Sequence, residues 1–212
     1  MDSVPMVSII MNCLNGDQFL KEAMDSIYAQ TYRNWEIIFW DNASTDGSAK
    51  IAQSYDKRVK YFSAEKTTIL GKARVLATEK AQGKFLAFLD CDDLWLEDKL
   101  QKQIDIFAGS NEDLGLVYGA TEVVFESNKN KTRIYRVGME LPTGKIFSKL
   151  TKGNFIVFSS TMLDREIFYD CGGFPEHFEN APDYYSFLKI AQKYHVGVVK
   201  DICCKYRMHS NN

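Results

Sequence analysis

The stretch "FLAFLDCDDLWLEDKL", residues 85–100, passes from an apolar run to a cluster of acids within a few positions. Its opening Phe, Leu and Ala residues are typical of a strand buried on both faces of a sheet. Its closing charged residues begin a pattern that predicts a helix over residues 96–109. A buried strand followed by a helix favours a parallel sheet, with the acids placed where the strand ends.

The same alternation runs through the first 108 residues. Strands are predicted at residues 7–14, 35–40, 59–62 and 84–90, and helices at residues 19–30, 48–55, 71–83 and 96–109. This order predicts an α/β fold with a Rossmann-like, mainly parallel sheet and helices on both faces. Ser44 or Thr45 is expected to cap the second helix.

The rest of the chain is less regular. It is expected to contain strands at residues 114–127 and 133–137, a hairpin-like loop at 128–132, a helix at 183–194 and terminal strands at 196–209. No linker, repeat or low-complexity segment separates the halves. We therefore expect one domain over residues 1–212, with a mainly parallel half at 1–108 and a smaller mixed lobe at 109–212.

Composition excludes several classes of protein. A net charge of −2 on 212 residues gives no reason to expect binding to nucleic acid. Five cysteines without a CxxC pair indicate reduced thiols in a cytoplasmic protein, not a disulfide framework or a zinc site. The first residues do not resemble a signal peptide, and no apolar run approaches the roughly 20 residues that cross a bilayer.

Three acids, Asp90, Asp92 and Asp93, lie within four positions. Carboxylates this close repel one another unless a cation or a shared proton neutralises them. Oxygen ligands of this kind suit Mg²⁺ or Mn²⁺, with coordination positions left for substrate phosphates. The alternative is that Asp92 or Asp93 caps the helix that follows.

Other polar residues follow the predicted strands. Asn12, Asn15 and Asp41 end the first two strands, so they and the acids should rim one pocket. Asp41 could accept N–H groups from a nucleobase, or it could fold back on its own backbone in an Asx-turn. No G-x-G-x-x-G or P-loop sequence is present, which argues against a dinucleotide oxidoreductase or an ATPase.

Asp183 begins the predicted helix after Pro182 and is a candidate general base. A helix N-terminus also favours an aspartate as a cap or as a partner of the helix dipole. Glu176 and Glu179, in the loop before it, are rivals for the same role.

Four stretches in this order resemble family 2 glycosyltransferases, which are inverting enzymes with the GT-A fold. They are "VSIIMNCLNGDQFLKEAMDSIYAQTYRNWEIIFWDNASTDGS" at 7–48, "GKFLAFLDCDDLWLEDKL" at 83–100, "GGFPEHFENAPDYYSFLKIAQ" at 172–192 and "YRMHSNN" at 206–212. The resemblance spans nearly the whole chain and leaves the sugar and the acceptor open. It implies transfer from a nucleotide-diphosphate donor, a UDP-sugar first, in polysaccharide, cell-wall or glycoconjugate biosynthesis.

For the donor, the resemblance places Asp41 on the uracil ring and Asn12 in the same base pocket. Arg74 would lie beside the nucleotide. Asp90 and Asp92 would be the D-x-D pair, with Asp92 binding the Mg²⁺ or Mn²⁺ ion that bridges the diphosphate. Asp90 would support that ion or the ribose.

For the rest of the site, the resemblance makes Asp183 the catalytic base. Asp93 is the third acid of its segment. Arg207 and His209 would close over the diphosphate, and His209 is also a candidate metal ligand.

Two positions depart from the family pattern: Val75 stands where an Asn is usual, and Pro182 where a Glu is usual. These differences favour an alternative, a nucleotide-sugar-binding module or subunit impaired in catalysis. The expected acceptor is a carbohydrate or a lipid-linked sugar, and the second would bring the cytoplasmic protein to the inner face of a membrane. A nucleotidyltransferase would need a glycine-rich basic loop, which "NCLNGDQF" does not provide.

Overall fold

A computed structural model describes residues 5–134 and 141–209, without the side chains of residues 128–134. The strands in these ranges are β1 Val7–Cys13, β2 Trp35–Asp41, β3 Val59–Ser63, β4 Phe85–Phe88, β5 Leu94–Trp95, β6 Leu114–Phe125, β7 Asn128–Ile134, β8 Met162–Asp164 and β9 His195–Met208. The helices are α1 Asp17–Tyr28, α2 Ser48–Gln53, α3 Leu70–Thr78, α4 Lys99–Gly109, α5 Phe147–Leu150, α6 Arg165–Asp170 and α7 Pro182–Lys193, with a 3-10 helix at Phe158–Ser160.

The described strands form one sheet in the order β3-β2-β1-β4-β8-β6-β9-β5, and β7 pairs with β6. The first four strands run parallel, which confirms the Rossmann-like half. Strand β8 is antiparallel to both β4 and β6, and β9 is parallel to β6. The mixed strands of the second half therefore continue the parallel sheet instead of forming a separate one.

Helices cover both faces of the sheet, as the apolar strands predicted. Along β1, Ile9 and Met11 pack into one core with Leu20 of α1, while Ile10 packs into the other core with Ala73 of α3. Because successive strand residues point to opposite faces, an unbroken apolar run is what a sheet covered on both sides requires. None of the described helices is both long and apolar enough to cross a lipid bilayer.

Several predicted boundaries are wrong. Strand β4 stops at Phe88, so Asp90 lies two residues beyond the strand, directly before the turn at residues 91–92. Neither Ser44 nor Thr45 caps α2; the helix begins at Ser48, whose N–H donates to Asp46 Oδ1 at 3.0 Å.

The predicted loop at 128–132 belongs to β7, because the turn comes earlier, at residues 126–127, and cross-strand pairing with β6 begins directly after it. Residues 135–137 of the predicted strand at 133–137, and residues 210–212, lie outside the described residues.

Candidate functional site

The carboxyl ends of β2, β1 and β4 lie side by side, because these strands are neighbours in the sheet. Asn12 of β1 donates from Nδ2 to the carbonyl of Ala73 at 3.0 Å, which ties the strand end to α3. Asp41 of β2 is buried. Its Oδ1 accepts from the Ser44 N–H at 2.7 Å, and its Oδ2 accepts from the Tyr61 hydroxyl at 2.7 Å. Asp41 therefore folds back on the loop that follows it, and each oxygen retains capacity for a further donor.

The three clustered acids have separate environments. Asp90 keeps 39% of its side chain exposed, and Asp92 keeps 25% and lies 2.9 Å from Nε2 of His209. Asp93 is fully buried: its Oδ2 accepts from the Ser159 hydroxyl at 2.5 Å and its Oδ1 from the Arg207 backbone N–H at 2.9 Å. Neither Asp92 nor Asp93 caps a helix, since α4 begins at Lys99. The capping alternative is therefore wrong.

Burial and mutual repulsion raise the pKa values of two of these acids. Loss of hydration raises the pKa of Asp90 to about 6, with Asp92 and Asp183 adding to the shift and Arg74 opposing it. Burial, followed by the charges of Asp90 and Asp92, raises the pKa of Asp93 well above its usual range. A cation bound beside Asp90 and Asp92 would relieve the repulsion between their charged forms.

Arg74 of α3 links the acids after β4 to the start of α7. Its Nη1 donates to Asp183 Oδ1 at 2.9 Å, and its Nη2 lies 3.9 Å from Asp90 Oδ1. The guanidinium carbon lies 3.7 Å from the centre of the Phe158 ring, and the buried Nε has no hydrogen-bond partner. We call Arg74, Asp90 and Asp183 the cleft group.

Asp183 occupies the second position of α7, after Pro182 at the first. The residue before the helix is Ala181, with φ of 51°, and no side chain caps the helix there. Asp183 is therefore not an N-cap, and its nearest charged partner is Arg74. Its rival Glu176 pairs instead with Lys72 at the surface, and Glu179 is exposed.

Arg207 of β9 holds the other side of the acidic loop in place. Its Nε donates to the Asp92 carbonyl at 2.8 Å, its Nη1 to Glu126 at 3.1 Å and its Nη2 to Glu22 at 2.6 Å. Its guanidinium carbon lies 4.4 Å from the centre of the Phe19 ring. We call Arg207, Asp93, Glu22 and Glu126 the framework group.

The donor atoms suit a hard divalent cation that a ligand completes. Among the residues that the structure describes, no three His, Cys, Asp or Glu side chains are grouped to hold a metal by themselves. The carboxylate of Asp92 and the imidazole of His209, 2.9 Å apart, have about the separation of adjacent ligands in an octahedron with bonds of roughly 2.1 Å. Mg²⁺ is commonly bound by one or two carboxylates together with substrate phosphates and waters.

The sequence did not point to several residues that shape this site. Ser159 donates to Asp93 and accepts from the Asp90 N–H at 3.1 Å, and Phe158 supports Arg74. Both belong to an apolar run whose pattern is typical of the hydrophobic core. The position of Glu22 is typical of the solvent-exposed face of a helix. Only contacts across 60 or more residues reveal their roles.

Comparison with known proteins places this chain in a family. Residues 8–172 match the family model described as Glycosyl transferase family 2. The chain is 32% identical over 211 residues to UDP-Glc:alpha-D-GlcNAc-diphosphoundecaprenol beta-1,3-glucosyltransferase WfgD of Escherichia coli, an overlap of 98% of this chain and 79% of that protein. It spans only about a third of three uncharacterized Rickettsia glycosyltransferases that it also matches.

Solved structures share the architecture. S. aureus TarS 1–349 in complex with UDP-GlcNAc superposes with a TM-score of 0.76 at 19% identity, covering 97% of this chain and 59% of that one. Mannosyltransferase PcManGT from Pyrobaculum calidifontis, in complex with GDP-Man and Mn²⁺, gives 0.75 at 20% identity, covering 100% and 59%. The fold is the GT-A fold, and the chain belongs to glycosyl transferase family 2.

Proposed function

We propose that this protein transfers a sugar from a nucleotide-diphosphate donor, a UDP-sugar first, to an acceptor hydroxyl with inversion at the anomeric carbon. The observation that carries the proposal is the cleft group. Buried Arg74 joins the acidic loop after β4 to Asp183 at the start of α7. A donor diphosphate at the first and an acceptor hydroxyl at the second would then meet in one cleft.

In this proposal the nucleoside lies at the ends of β1 and β2. Asp41 would accept N–H groups of the base through the lone pairs that Ser44 and Tyr61 leave, with Asn12 lining the same pocket. Uridine is the first choice because WfgD is named for UDP-Glc and TarS was solved with UDP-GlcNAc. PcManGT was solved with GDP-Man, so guanosine is the rival base.

The diphosphate would lie against the acidic loop. Asp92 and His209 would hold Mg²⁺ or Mn²⁺, and Asp90 would support the ion or the ribose. A bound divalent cation neutralises the charge that grows on the leaving diphosphate. Arg207, which the resemblance placed over the diphosphate, directs its guanidinium at Asp92 O, Glu126 and Glu22. We therefore assign it to positioning Asp92, with Asp93 fixing its backbone.

On the acceptor side, Asp183 would take the proton of the attacking hydroxyl. A positioned general base typically contributes about 10²–10⁴-fold to a rate. One base and one direct displacement invert the anomeric carbon. Arg74 holds the Asp183 carboxylate at 2.9 Å, so its orientation is set before the acceptor arrives.

The acceptor and the setting follow from the same proposal. WfgD is named for a sugar on diphosphoundecaprenol, so a lipid-linked sugar is the first acceptor class and a free carbohydrate the second. A lipid-linked acceptor would place a cytoplasmic protein of 212 residues, as one domain, at the inner face of a membrane.

The impaired-module alternative rests on Pro182 and Val75. Pro182 is the first residue of α7, a position where proline's fixed φ is favourable, and it leaves Asp183 in the cleft. Val75 packs against the apolar core beside Arg74. Neither residue removes a member of the cleft group, so we favour the transferase.

A panel of nucleotide sugars with Mn²⁺ tests the proposal. Ligands that bind the native state raise the melting temperature, so UDP-sugars should raise it most, with slow release of UDP on long incubation. Stabilisation without UDP release would support the binding module instead. No stabilisation by any nucleotide sugar would refute both.

A further inference from the structure

Cys13 and Cys91 lie at the centre of the proposed donor site. Cys13 ends β1 next to Asn12 and is buried, and Cys91 stands between Asp90 and Asp92 and is partly exposed. In the parallel pair of β1 and β4, Ile10 lies opposite Phe88. Beyond the end of β4 at Phe88, the Leu89 N–H still donates to the Ile10 carbonyl at 3.2 Å, so the turn that carries Cys91 begins beside β1.

The two sulfur atoms also lie close together. A β-carbon added to Gly16 would lie 2.6 Å from Sγ of Cys91 and 3.0 Å from Sγ of Cys13, so the sulfurs are at most 5.6 Å apart. The interaction between the two thiols lowers the pKa of Cys13 and raises the pKa of Cys91 well above its usual range. Gly16 keeps the space for both thiols open, since any side chain there would displace Cys91.

We propose that Cys13 and Cys91 are a reversible oxidation site, which small-molecule disulfides convert to a disulfide that closes the donor site. The small thiolate fraction of Cys91, the partly exposed partner, attacks oxidised glutathione, forming a mixed disulfide and releasing one glutathione thiolate. The Cys13 thiolate then attacks Cys91 Sγ and expels the second glutathione. The protein loses two protons and two electrons, and oxidised glutathione becomes two reduced molecules.

The effect on binding rests on the proposed function. An S–S bond of about 2.05 Å would draw Cys91 toward β1 and move Asp90 and Asp92 with it. It would also end the contact of the Cys13 thiol with the Ser48 hydroxyl, at 3.4 Å, beside the loop that Asp41 holds. Ligands of a metal–diphosphate site must be placed within about 0.5 Å, so such a shift should weaken donor binding.

The other cysteines provide controls. Cys171, Cys203 and Cys204 are buried. The experiment treats the full chain with oxidised glutathione for several hours, blocks free thiols and maps the peptides without reduction. UDP affinity with Mn²⁺ is measured by calorimetry before oxidation, after it and after dithiothreitol. Cys91→Ser and Cys13→Ala are the test variants, and Cys171→Ser is the matched control.

We expect a Cys13–Cys91 peptide pair two hydrogen atoms lighter than its parts, with at least a tenfold loss of UDP affinity that dithiothreitol reverses. Cys171→Ser should respond as the wild type does, and both test variants should keep their affinity through oxidation. Glutathione retained on Cys91, or a bridge that leaves affinity unchanged, would overturn the proposal. If the reduced protein bound no UDP, the proposed function would fail, while the peptide map would still decide the disulfide.

Discussion

The two buried arginines of the site have similar surroundings but differ in how completely their N–H groups are hydrogen-bonded. Arg74 is 5% exposed and Arg207 6%, and each lies over an aromatic ring. Every donor atom of Arg207 faces a protein acceptor, whereas Nε of Arg74 faces none. The guanidinium of Arg207 is therefore fully paired, whereas that of Arg74 keeps one buried N–H without a partner.

The same difference separates the three clustered acids, Asp90, Asp92 and Asp93, which are adjacent in the sequence but have different environments. Asp90 and Asp92 keep part of their surface open, while Asp93, one residue further on, is sealed between Ser159 and the backbone of Arg207. A buried acid held by hydrogen bonds fixes the path of the loop. The loop can then keep Asp90 and Asp92 close together at the open side of the site.

The largest expected effect comes from the base of the cleft group. Asp183→Asn keeps the size of the side chain and removes its ability to accept a proton. We expect transfer to fall by about 10²–10⁴-fold, the usual contribution of a general base. UDP affinity should change little, whereas the melting temperature should fall, because buried Arg74 loses its charged partner. The measurement is UDP release in the presence of an acceptor, beside calorimetry with UDP.

Glu179→Gln is the control for Asp183, since Glu179 is an exposed acid four residues earlier. Its activity should equal that of the wild type. Normal turnover by Asp183→Asn, or an equal loss in Glu179→Gln, would show that Asp183 is not the base. The cleft group would then have no proposed role in catalysis.

Substitutions in the framework group should lower the free energy of unfolding more than they lower the rate of sugar transfer. Arg207→Ala removes the buried guanidinium that pairs with Glu22 and Glu126, and breaking a buried ion pair costs about 3–5 kcal/mol. Glu22 is 60% exposed, which places the expected loss at the lower end of that range. Urea unfolding measures it.

Lys21→Ala is the matched control for Arg207, because it breaks a pair with Asp25 in which both side chains are more than half exposed. Its cost should be below about 1 kcal/mol. An Arg207→Ala protein as stable as Lys21→Ala would show that the framework group does not support the fold.

Asp92 lies between the framework group and the proposed metal site, since its carbonyl accepts from Arg207 and its carboxylate faces His209. Asp92→Ala should keep the first contact and lose the second. We expect at least a tenfold loss of UDP affinity with Mn²⁺ and little change without metal. Asp98→Ala, an exposed acid paired with Lys102, is the control. Equal affinities with and without Mn²⁺ in the wild type would contradict the metal site.

The sequence predicted the parallel half of the fold because that half is built from local pattern. Apolar runs such as residues 7–13 and 35–41 fit strands covered on both faces, and polar clusters follow them. Asp183 and Asp90 could be proposed by resemblance, but nothing local shows that Arg74 joins them, since the pair with Asp183 spans 109 residues.

The same limit explains the errors in the second half. Strand β7 follows from pairing with β6, not from its own polar residues, which read as a loop. Arg207 and Asp93 lie 114 residues apart, and their shared role is visible only once β9 lies beside the acidic loop. Local propensity cannot report a contact whose two partners are set by the topology of the sheet.

The smallest expected effect concerns Asp90 and pH. Its pKa, raised to about 6 from an ordinary 3.8, means that the folded protein binds more protons than the unfolded chain between these values. The stability that this proton uptake confers is present in full below about pH 3.8 and is lost as pH rises through 6. Asp90→Asn cannot ionise, so its melting temperature relative to the wild type should rise from pH 4 to pH 7.

The comparison is made in a chelator so that no metal stabilises either protein. Because 39% of the Asp90 side chain is exposed, we expect a gain under about 1 kcal/mol at pH 7. Asp98→Asn, at the surface, controls for the loss of one charge. If Asp90→Asn is more stable than the wild type at pH 7, the native Asp90 lowers stability, as expected of an acid retained for ligand binding. A loss would mean that Arg74 stabilises the Asp90 carboxylate more than burial destabilises it, and Asp90 would then belong with the framework group.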